Sequence, residues 1–395
     1  MIQPRQLTRR EALVQGGGMV AALALLDSHV FAAALDGERV LPFLDQPTGP
    51  PPGLGDIGLL DWQQLDSWVT PSDKFFRIAH YGVPEVDPAG FKLELAGRVS
   101  SPRSYSLDEL RALPKKEVAF TLECSGNSGF DWFQGGIGNA RWAGAPLATL
   151  LEKAGIKKDA IEVVFYGADS GEQTLPYVSG LGERVGEFKA KMPFARSLSL
   201  EEAMDPANLL CYEMSGAPLP KASGFPLRLI APRFYGIANV KWLTRIELLD
   251  RRFQGPFIAE MYMTVRETRG PGGEAAFVRT AIGRTRLKSI PAKVTVKDGR
   301  HRVYGAAWGA PVARVEVRID DGPWQPATID EGREHEFAWK FWHFDWKAPS
   351  AGEHRLVSRA IDTLANVQPA ADDPIVTGRR TYWESDAQIT RRIRI

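Results

Sequence analysis

The sequence contains few cysteines and none of the cysteine motifs that chelate metals. Cys124 and Cys211 are the two cysteines among 395 residues, and no Cys-x-x-Cys pair occurs. Zinc ribbons, thioredoxin-type redox sites and covalently attached c-type haem are therefore unsupported. The six histidines form no His-Glu-x-x-His pattern, so that type of zinc site has no support either. A disulfide between Cys124 and Cys211 stays open, because the sequence does not give their separation.

An excess of charge of either sign is also missing. The 49 Lys and Arg residues balance 48 Asp and Glu residues, which leaves a net charge of +1. This balance points to neither nucleic acid nor an anionic membrane as a partner. The apolar run at residues 16–26 is too short and too mildly apolar for a membrane span. No Gly-x-Gly-x-x-Gly follows a predicted strand, so a dinucleotide-binding fold has no support.

The N-terminal residues have the pattern of an export signal. Arg9 and Arg10 precede the apolar run, and three alanines follow at residues 32–34 as a small-residue cleavage site. This order predicts a twin-arginine signal over residues 1–34 and a periplasmic mature protein. The alternative is an amphipathic N-terminal helix, which three consecutive glycines in that run would weaken. Twin-arginine export in turn suggests a protein that folds around a cofactor.

Composition and periodicity divide the rest of the chain into three parts. Residues 35–70 are rich in proline and glycine and predict an extended arm on the surface. Residues 71–270 mix short strands and helices, including a helix capped by Ser106 with Glu109 three residues later. Residues 271–395 alternate apolar and charged positions between Asp-Gly turns, which predicts a β-sandwich. The expected fold class is α+β, with a glycine-rich hinge at the boundary near residue 270.

Cys124 lies where an apolar strand runs into a tight polar turn. Phe-Thr-Leu-Glu precedes it, and Ser-Gly-Asn follows it. A thiol held in this way suits a metal ligand or a nucleophile, because the thiolate is the reactive form and needs polar donors around it. The alternative is a buried, inert thiol, which is the commoner state of a free cysteine.

Three further segments carry groups that suit a polar ligand. His80 either hydrogen-bonds a cofactor or satisfies a backbone carbonyl. Asp169 either accepts hydrogen bonds from the amino groups of a ligand or caps its own turn. Arg228 and Lys241 supply cations, and Gly236 permits close backbone approach, so together they could hold a phosphate. The alternative for such cations beside a strand is that they simply face water.

Several ordered blocks of the sequence share a family likeness. The first-domain blocks lie at residues 123–127, 136–144, 212–220, 224–228 and 235–243. The second-domain blocks lie at residues 339–342, 359–362 and 366–369. From about residue 70 to its end, the chain resembles the sulfite oxidase family of molybdopterin enzymes. The resemblance implies a mixed α/β molybdopterin-binding domain followed by an immunoglobulin-like β-sandwich dimerisation domain.

The resemblance implies a role for each candidate residue. It makes Cys124 the thiolate ligand of molybdenum in Mo-molybdopterin, and Tyr262 an active-site tyrosine. Trp132 matches an aromatic wall of the substrate pocket, whereas Cys211 falls mid-strand and is expected in the core. The residues that match pterin or phosphate contacts are His80, Asp169, Arg228, Asn239 and Lys241.

Positions that bind substrate in this family carry other residues here. Well-known sulfite oxidases have an Arg-Asn pair before the histidine, arginines just after the Asn that follows the cysteine, and a histidine contact near Arg228. The residues at those positions in this chain are Ile78 and Ala79, Ser128 and Gly129, and Ser223. Sulfite is a small anion and requires cationic donors near the metal. The residues that could supply this charge from nearby positions are Arg77, Arg141 and Arg233.

The resemblance implies molybdenum-dependent oxidation of sulfite to sulfate by a homodimer. The sequence carries no haem signature, so electrons are expected to leave to a separate acceptor such as a c-type cytochrome. A sulfane-sulfur dehydrogenase and a sulfoxide reductase are the alternatives among related enzymes. A cofactor-free exported binding protein built on the same fold is the alternative outside enzymes.

Overall fold

The structure, a computed structural model, describes residues 37–180, 182–330 and 335–395. The predicted export signal at residues 1–34 lies outside these ranges. Strands dominate within them, and the longest helix, Leu147–Ala154, has 8 residues. No helix of the described ranges is long and apolar enough to cross a membrane. This content of short helices and many strands agrees with the predicted α+β class.

Helices and strands follow one another irregularly along the chain. The helices are α1 (Leu107–Arg111), α2 (Leu147–Ala154), α3 (Leu200–Ala203), α4 (Pro256–Ala259) and α5 (Pro374–Thr377), and 3-10 turns lie at Trp62–Gln64, Lys221–Ser223 and Gly236–Ala238. The strands are β1 (Arg39–Leu41), β2 (Lys92–Gly97), β3 (Arg103–Ser106), β4 (Lys116–Glu123), β5 (Ile137–Pro146), β6 (Glu162–Val178), β7 (Arg184–Ser199), β8 (Leu209–Met214), β9 (Ala217–Pro218), β10 (Arg228–Ile230), β11 (Leu243–Leu249), β12 (Met263–Arg269), β13 (Ala275–Ala281), β14 (Lys288–Lys297), β15 (Arg300–Trp308), β16 (Val312–Ile319), β17 (Gln325–Pro326), β18 (Thr328–Ile329), β19 (Lys340–Trp346), β20 (Glu353–Asp362) and β21 (Thr390–Arg394).

Two sheets build the N-terminal domain. One has the strand order β3–β2–β11–β6–β7, and the other has the order β10–β8–β5–β4 with β9 paired to β8. Alternate positions of a strand face the core, and Leu93 and Leu95 of β2 are fully buried there. Helix α1 begins at Ser106, whose capping box with Glu109 is formed as the sequence predicts.

Strand β4 carries the chain to the most reactive candidate residue. It pairs antiparallel with β5 along its whole length, from Lys116 opposite Gly144 to Glu123 opposite Ile137. The last six of its eight residues are buried. The strand therefore ends inside the protein, and Cys124 follows at a fixed position.

The C-terminal domain is a β-sandwich, as the alternating pattern predicts. One sheet has the order β1–β14–β15–β19–β18, and the other has the order β17–β16–β20–β21. The core between the sheets includes Val303, Val315 and Leu356, each fully buried. After β14, Asp298 and Gly299 have positive φ angles of 49° and 74°, the left-handed geometry of a tight hairpin turn.

The predicted surface arm at residues 35–70 is confirmed only in part. Its proline- and glycine-rich stretch at residues 46–56 is exposed and forms no strand or helix. Both ends of the described arm belong to the fold instead, because β1 pairs antiparallel with β14 and because Leu41, Phe43 and Trp68 are buried, with 6%, 2% and 2% of their surfaces exposed. Large apolar residues decide the burial of these ends, which the proline and glycine content did not indicate.

The predicted hinge near residue 270 is also wrong. Residues 270–274 form the turn of a two-stranded hairpin in which β12 pairs with β13, with Met263 opposite Ala281. The chain enters the C-terminal sandwich after this hairpin. Glycine and proline mark turns of both kinds, so the sequence does not distinguish a hairpin turn from an interdomain linker.

A buried ion pair joins the two domains. Lys288 of β14 contacts Glu123 at the end of β4, with 2.6 Å between Nζ and Oε1, and the two side chains are 1% and 0% exposed. The Glu123 carboxylate also accepts hydrogen bonds from the Trp308 indole at 2.9 Å and from the Asn127 amide at 2.9 Å. Three donors thus compensate the cost of removing this carboxylate from water.

We expect Lys288→Met to lower the free energy of unfolding by about 3–5 kcal/mol, because it leaves the Glu123 carboxylate buried without its cation. Denaturant unfolding of the cofactor-free protein measures this loss. Combining Lys288→Met with Glu123→Gln should recover most of it, since no buried charge then remains.

The matched control is Lys189→Met, which removes an exposed pair with Glu172. Such a surface pair contributes at most about 1 kcal/mol. Equal losses for Lys288→Met and Lys189→Met would show that the buried pair has no special role.

Candidate active site

Cys124 begins a tight turn that presents its side chain beside a loop. Its amide donates to the Gly136 carbonyl at 2.8 Å, and the Asn127 amide donates to the Cys124 carbonyl at 3.0 Å. Gly236 packs closely against this turn, since a Cβ there would lie 3.3 Å from the Glu123 carbonyl oxygen. A side chain at position 236 would therefore press on the residue next to Cys124. The strand-to-turn geometry that the sequence predicts for Cys124 is present.

The two thiols differ in their access to a ligand. Cys124 is half-buried, whereas Cys211 in β8 is fully buried, and both are free. Burial and, to a smaller extent, the neighbouring Glu123 raise the pKa of the Cys124 thiol to about 11, against the opposing effects of a backbone hydrogen bond from Gly126 and of the Lys288 charge. Without a metal, Cys124 is therefore protonated at neutral pH. A bound metal ion deprotonates a coordinating thiol, so metal binding here would release a proton.

One cavity collects nearly all the residues to which the resemblance assigns a role. Its lining includes Cys124, Tyr262, His80, Asp169, Arg228, Asn239 and Lys241. These residues come from separate segments of the chain, from the loop before β2 to the loop after α4. The fold therefore brings together residues that lie far apart in the sequence. No group of three or more His, Cys, Asp and Glu residues that could hold a metal ion occurs in the part of the chain that the structure describes. A metal in this cavity would thus take one protein thiolate and depend on a cofactor for its other ligands.

Arg228 and Lys241 are cations prepared for an anion. The Arg228 guanidinium is 3% exposed and donates to the carbonyls of Ser223 (2.8 Å) and Asn239 (3.0 Å), while its Nε has no partner. The Lys241 ammonium donates to the carbonyls of Ile78 (2.9 Å) and Ala222 (3.0 Å). Neither cation has a carboxylate ion pair among the described residues, so a phosphate group would complete the site.

The same cavity is lined by Asp169, His80 and Asn239. These side chains differ in how far other contacts already occupy them. Burial raises the pKa of Asp169 to about 6, and the Lys241 charge opposes that rise. The His80 ring is exposed and rests edge-on against Phe257 with 4.6 Å between ring centroids. The Asn239 amide is occupied by the loop itself, accepting from the Ala231 amide at 2.7 Å and donating to nearby carbonyls. Asn239 therefore shapes the loop that Arg228 binds.

Tyr262 sits under an aromatic wall that the sequence did not predict. Its ring lies 4.7 Å from that of Trp383, and Trp383 lies 4.1 Å from Tyr382. The next residue, Glu384, donates its amide to the Ser125 carbonyl at 2.8 Å, which fixes this C-terminal segment on the Cys124 turn. The position of this C-terminal segment could not be predicted from the sequence, because no local pattern links it to the Cys124 turn.

Trp132, expected as a wall of the substrate pocket, is not among the residues that line the cavity. It stacks on Phe130 with 5.8 Å between ring centroids, and Phe130 in turn contacts Tyr382 at 4.3 Å. Trp132 thus belongs to the outer end of the aromatic cluster. Tyr382 and Trp383 take the place beside Tyr262.

The three arginines suggested as substrate cations lie elsewhere. Arg77 pairs with Asp56 at 2.7 Å, and Arg233 pairs with Glu336 at 2.5 Å. Arg141 lies 3.6 Å from a Glu117 carboxylate oxygen. None of the three lines the Cys124 cavity, so the expectation that they replace the missing cations is wrong.

Comparison with known proteins agrees with this geometry. Residues 80–257 match the oxidoreductase molybdopterin binding domain, and residues 280–384 match the Mo-co oxidoreductase dimerisation domain. Sulfite oxidase of Arabidopsis thaliana is 30% identical over 339 residues, which cover 77% of this chain and 83% of that protein. The chain belongs to the sulfite oxidase family. It is an oxidoreductase with a molybdopterin-binding domain, as its sequence blocks predict.

Two further similar proteins are a longer sulfite oxidase and a solved structure of lower sequence identity. Mitochondrial sulfite oxidase of Macaca fascicularis is 33% identical over 342 residues, covering 78% of this chain and 59% of that protein. The chain thus spans less than two thirds of the length of such relatives. The crystal structure of the sulfane dehydrogenase SoxCD from Paracoccus pantotrophus superposes with a TM-score of 0.72 at 23% identity, covering 87% of both chains. That likeness shows the same fold.

Lys241 gives the site a pH dependence that can be measured. Burial and the Arg228 charge lower the pKa of Lys241 to about 7. Between pH 7 and about 10, the unfolded chain binds a proton that the folded cofactor-free protein does not. We therefore expect the free energy of unfolding of the cofactor-free protein, measured relative to Lys241→Met, to rise over this range. A bound phosphate should abolish the slope, because it favours the charged ammonium.

Denaturant unfolding at several pH values tests this expectation, with Lys221→Met as the control for an exposed lysine paired with Glu85. If Lys241→Met and Lys221→Met showed the same pH dependence of the free energy of unfolding, the lowered pKa of Lys241 would not be the cause of the slope.

Proposed function

We propose that this oxidoreductase oxidises sulfite to sulfate and passes the electrons to an external acceptor such as a c-type cytochrome. The observation that carries the proposal is the convergence of Cys124, Tyr262 and the cationic pair Arg228 and Lys241 on one cavity. Sulfite oxidases of animals and a plant are among the relatives, at 30–33% identity for most. The overall change is sulfite plus water to sulfate, two protons and two electrons.

The residues of the chain have separate tasks in this reaction. Molybdenum in its pterin cofactor supplies, when bound, the two-electron redox centre and the site of oxygen exchange. Cys124 would hold the metal through its thiolate, while Arg228 and Lys241 would bind the phosphate of the pterin. Tyr262 would orient the substrate or a water molecule with its hydroxyl. Burial raises the pKa of Tyr262 well above 10, so the phenol keeps its proton at neutral pH.

Purified cofactor-loaded protein should reduce ferricyanide when sulfite is added, because the relatives' reaction needs only an electron acceptor after the chemistry at the metal. Cytochrome c tried in parallel tests the second half of the proposal. Molybdenum content is measured in the same samples. Fully loaded protein that gives no turnover with sulfite would rule out sulfite as the substrate.

Replacing the metal ligand should separate binding of the cofactor from a general loss of folding. We expect Cys124→Ser to keep its melting temperature and to lose sulfite turnover by more than about 100-fold, a larger loss than that for outer partners of a metal site. Cys211→Ala is the matched control, since it removes the other thiol from the core. Retained turnover in Cys124→Ser would refute the ligand assignment.

A sulfane-sulfur dehydrogenase is the second candidate, and the aromatic wall favours it. Trp383 and Tyr382 pack against Gly126 in the Cys124 turn, and Tyr382 also packs against Gly129, one of the positions where well-known sulfite oxidases carry arginines. Tyr262 joins them to the cavity. A wall of this kind suits a sulfur atom carried on a less charged molecule. The structure of similar fold is named as a sulfane dehydrogenase. An organic persulfide assayed beside sulfite distinguishes the two, because the better substrate shows the higher kcat/KM.

The cell compartment and the assembly complete the proposal. The twin-arginine pattern at residues 1–34 supports export to the periplasm. The matched dimerisation domain at residues 280–384 supports a homodimer. Light scattering of the purified protein measures the mass directly. A cofactor-free binding protein, the remaining alternative, would contain far less than one molybdenum atom per chain after careful maturation.

A further inference from the structure

Arg196 is a buried cation behind the cavity, with no carboxylate partner among the described residues. It lies in β7, two positions after Phe194, which lines the cavity. Residues two apart in a strand point to the same face of the sheet. Only 2% of Arg196 is exposed, and its Nε has no hydrogen-bond partner.

The cost of this burial requires an explanation. A charge removed from water is expensive unless it is paired or fully hydrogen-bonded. Burial lowers the pKa of Arg196 to about 10, so the guanidinium is still charged at neutral pH. A stable unneutralised charge of this kind indicates a site that an anion completes. Arg228 has the same property, but it belongs to the phosphate-binding part of the cavity.

The hydrogen bonds of Arg196 connect it to Tyr262. One terminal nitrogen donates to the Phe257 carbonyl, and the other donates to the Ile282 carbonyl at 2.7 Å. These two carbonyls bracket the segment that carries Tyr262. The Ile282 amide also donates to the Tyr262 carbonyl at 3.0 Å. The Arg196 charge lies close enough to the Tyr262 hydroxyl to stabilise a negative charge there.

We propose that Arg196 is the positioning residue that gives the Cys124 cavity its affinity for an oxyanion. It fixes both ends of the Tyr262 segment and supplies the positive charge that Ile78, Ser128 and Ser223 do not. Its effect reaches the substrate through Tyr262 and through the field of a fixed cation in a low-dielectric surrounding. That the oxyanion is sulfite, with sulfate as product, rests on the proposed function.

The test compares Arg196→Gln and Arg196→Lys with the wild-type holoenzyme. We expect Arg196→Gln to raise the KM for sulfite and the inhibition constant of sulfate by about 10-fold or more, with a smaller change in kcat. Arg196→Lys keeps the charge, so its KM and inhibition constant should fall between those of the wild type and those of Arg196→Gln. Arg245→Gln is the matched control, since Arg245 lies on the same sheet and pairs with Glu94 at 2.6 Å. Wild-type constants in a folded, fully loaded Arg196→Gln protein would overturn the proposal.

A double variant separates positioning from a general structural role. If Arg196 acts through Tyr262, Arg196→Gln should change the sulfate inhibition constant less in a Tyr262→Phe background than in the wild type. Purely additive changes would overturn action through Tyr262.

Binding without turnover keeps this inference distinct from the proposed function. Sulfate should raise the melting temperature of the wild-type holoenzyme above that in chloride at equal ionic strength, and Arg196→Lys should show a smaller rise. If sulfite is not oxidised but this sulfate effect is present, the proposed function fails and the oxyanion site stands. Absence of any sulfate effect on the wild type overturns the oxyanion site, even where Arg196→Gln does not fold.

Discussion

The buried pair between Glu123 and Lys288 is the interaction on which the arrangement of the site depends. Glu123 ends β4 and directly precedes Cys124, whereas Lys288 begins β14 in the other domain. An ion pair without water tolerates little displacement, because each lost hydrogen bond exposes a charge to a low-dielectric surrounding. The end of β4 therefore cannot shift relative to the sandwich. The C-terminal domain thereby fixes the position of Cys124, although none of its described residues lines the cavity.

On the cavity side of the same turn, in contrast, buried cations lack carboxylate partners in the described ranges. There, Arg228, Lys241 and Arg196 are buried or half-buried without carboxylate partners in the described ranges. Such groups lower the stability of the cofactor-free protein, because their solvation is lost and no anion replaces it. The proposed phosphate and oxyanion would recover that loss on binding. The fold thus accepts a cost in stability in exchange for affinity, as functional sites commonly do.

The sequence predicts features that depend on neighbouring residues. The capping box of Ser106 and Glu109 and the turn at Cys124 both follow from patterns a few residues long. It does not predict contacts that depend on distant segments. Nothing local indicates that Trp383 reaches Tyr262, that residues 39–41 pair with β14, or that Trp132 lies outside the cavity.

The family resemblance did not locate the positive charge of the substrate site, and the reason is related. It transfers residues position by position, so it recognises the contacts of the pterin, which keep their positions in the sequence. A positive charge can be moved to another strand and still act on the same point in space, because the field of a fixed cation depends on its distance and on the dielectric between, not on the strand that carries it. Arg196 lies outside the sequence blocks that carry the resemblance and was invisible to it.

Placing the cation behind Tyr262 changes what the cavity can discriminate. Arginines that line a pocket bind an anion by direct bidentate hydrogen bonds and reject neutral molecules, which leave those donors unpaired. Here Arg196 already donates to two backbone carbonyls, so a neutral sulfur compound leaves fewer donors without partners. The aromatic ring of Tyr262, which lines the cavity, can accommodate its apolar part. If Arg196 replaces the missing arginines as proposed, weaker selection for charge follows from the same arrangement, and sulfite and less charged sulfur compounds would compete for one site on more equal terms.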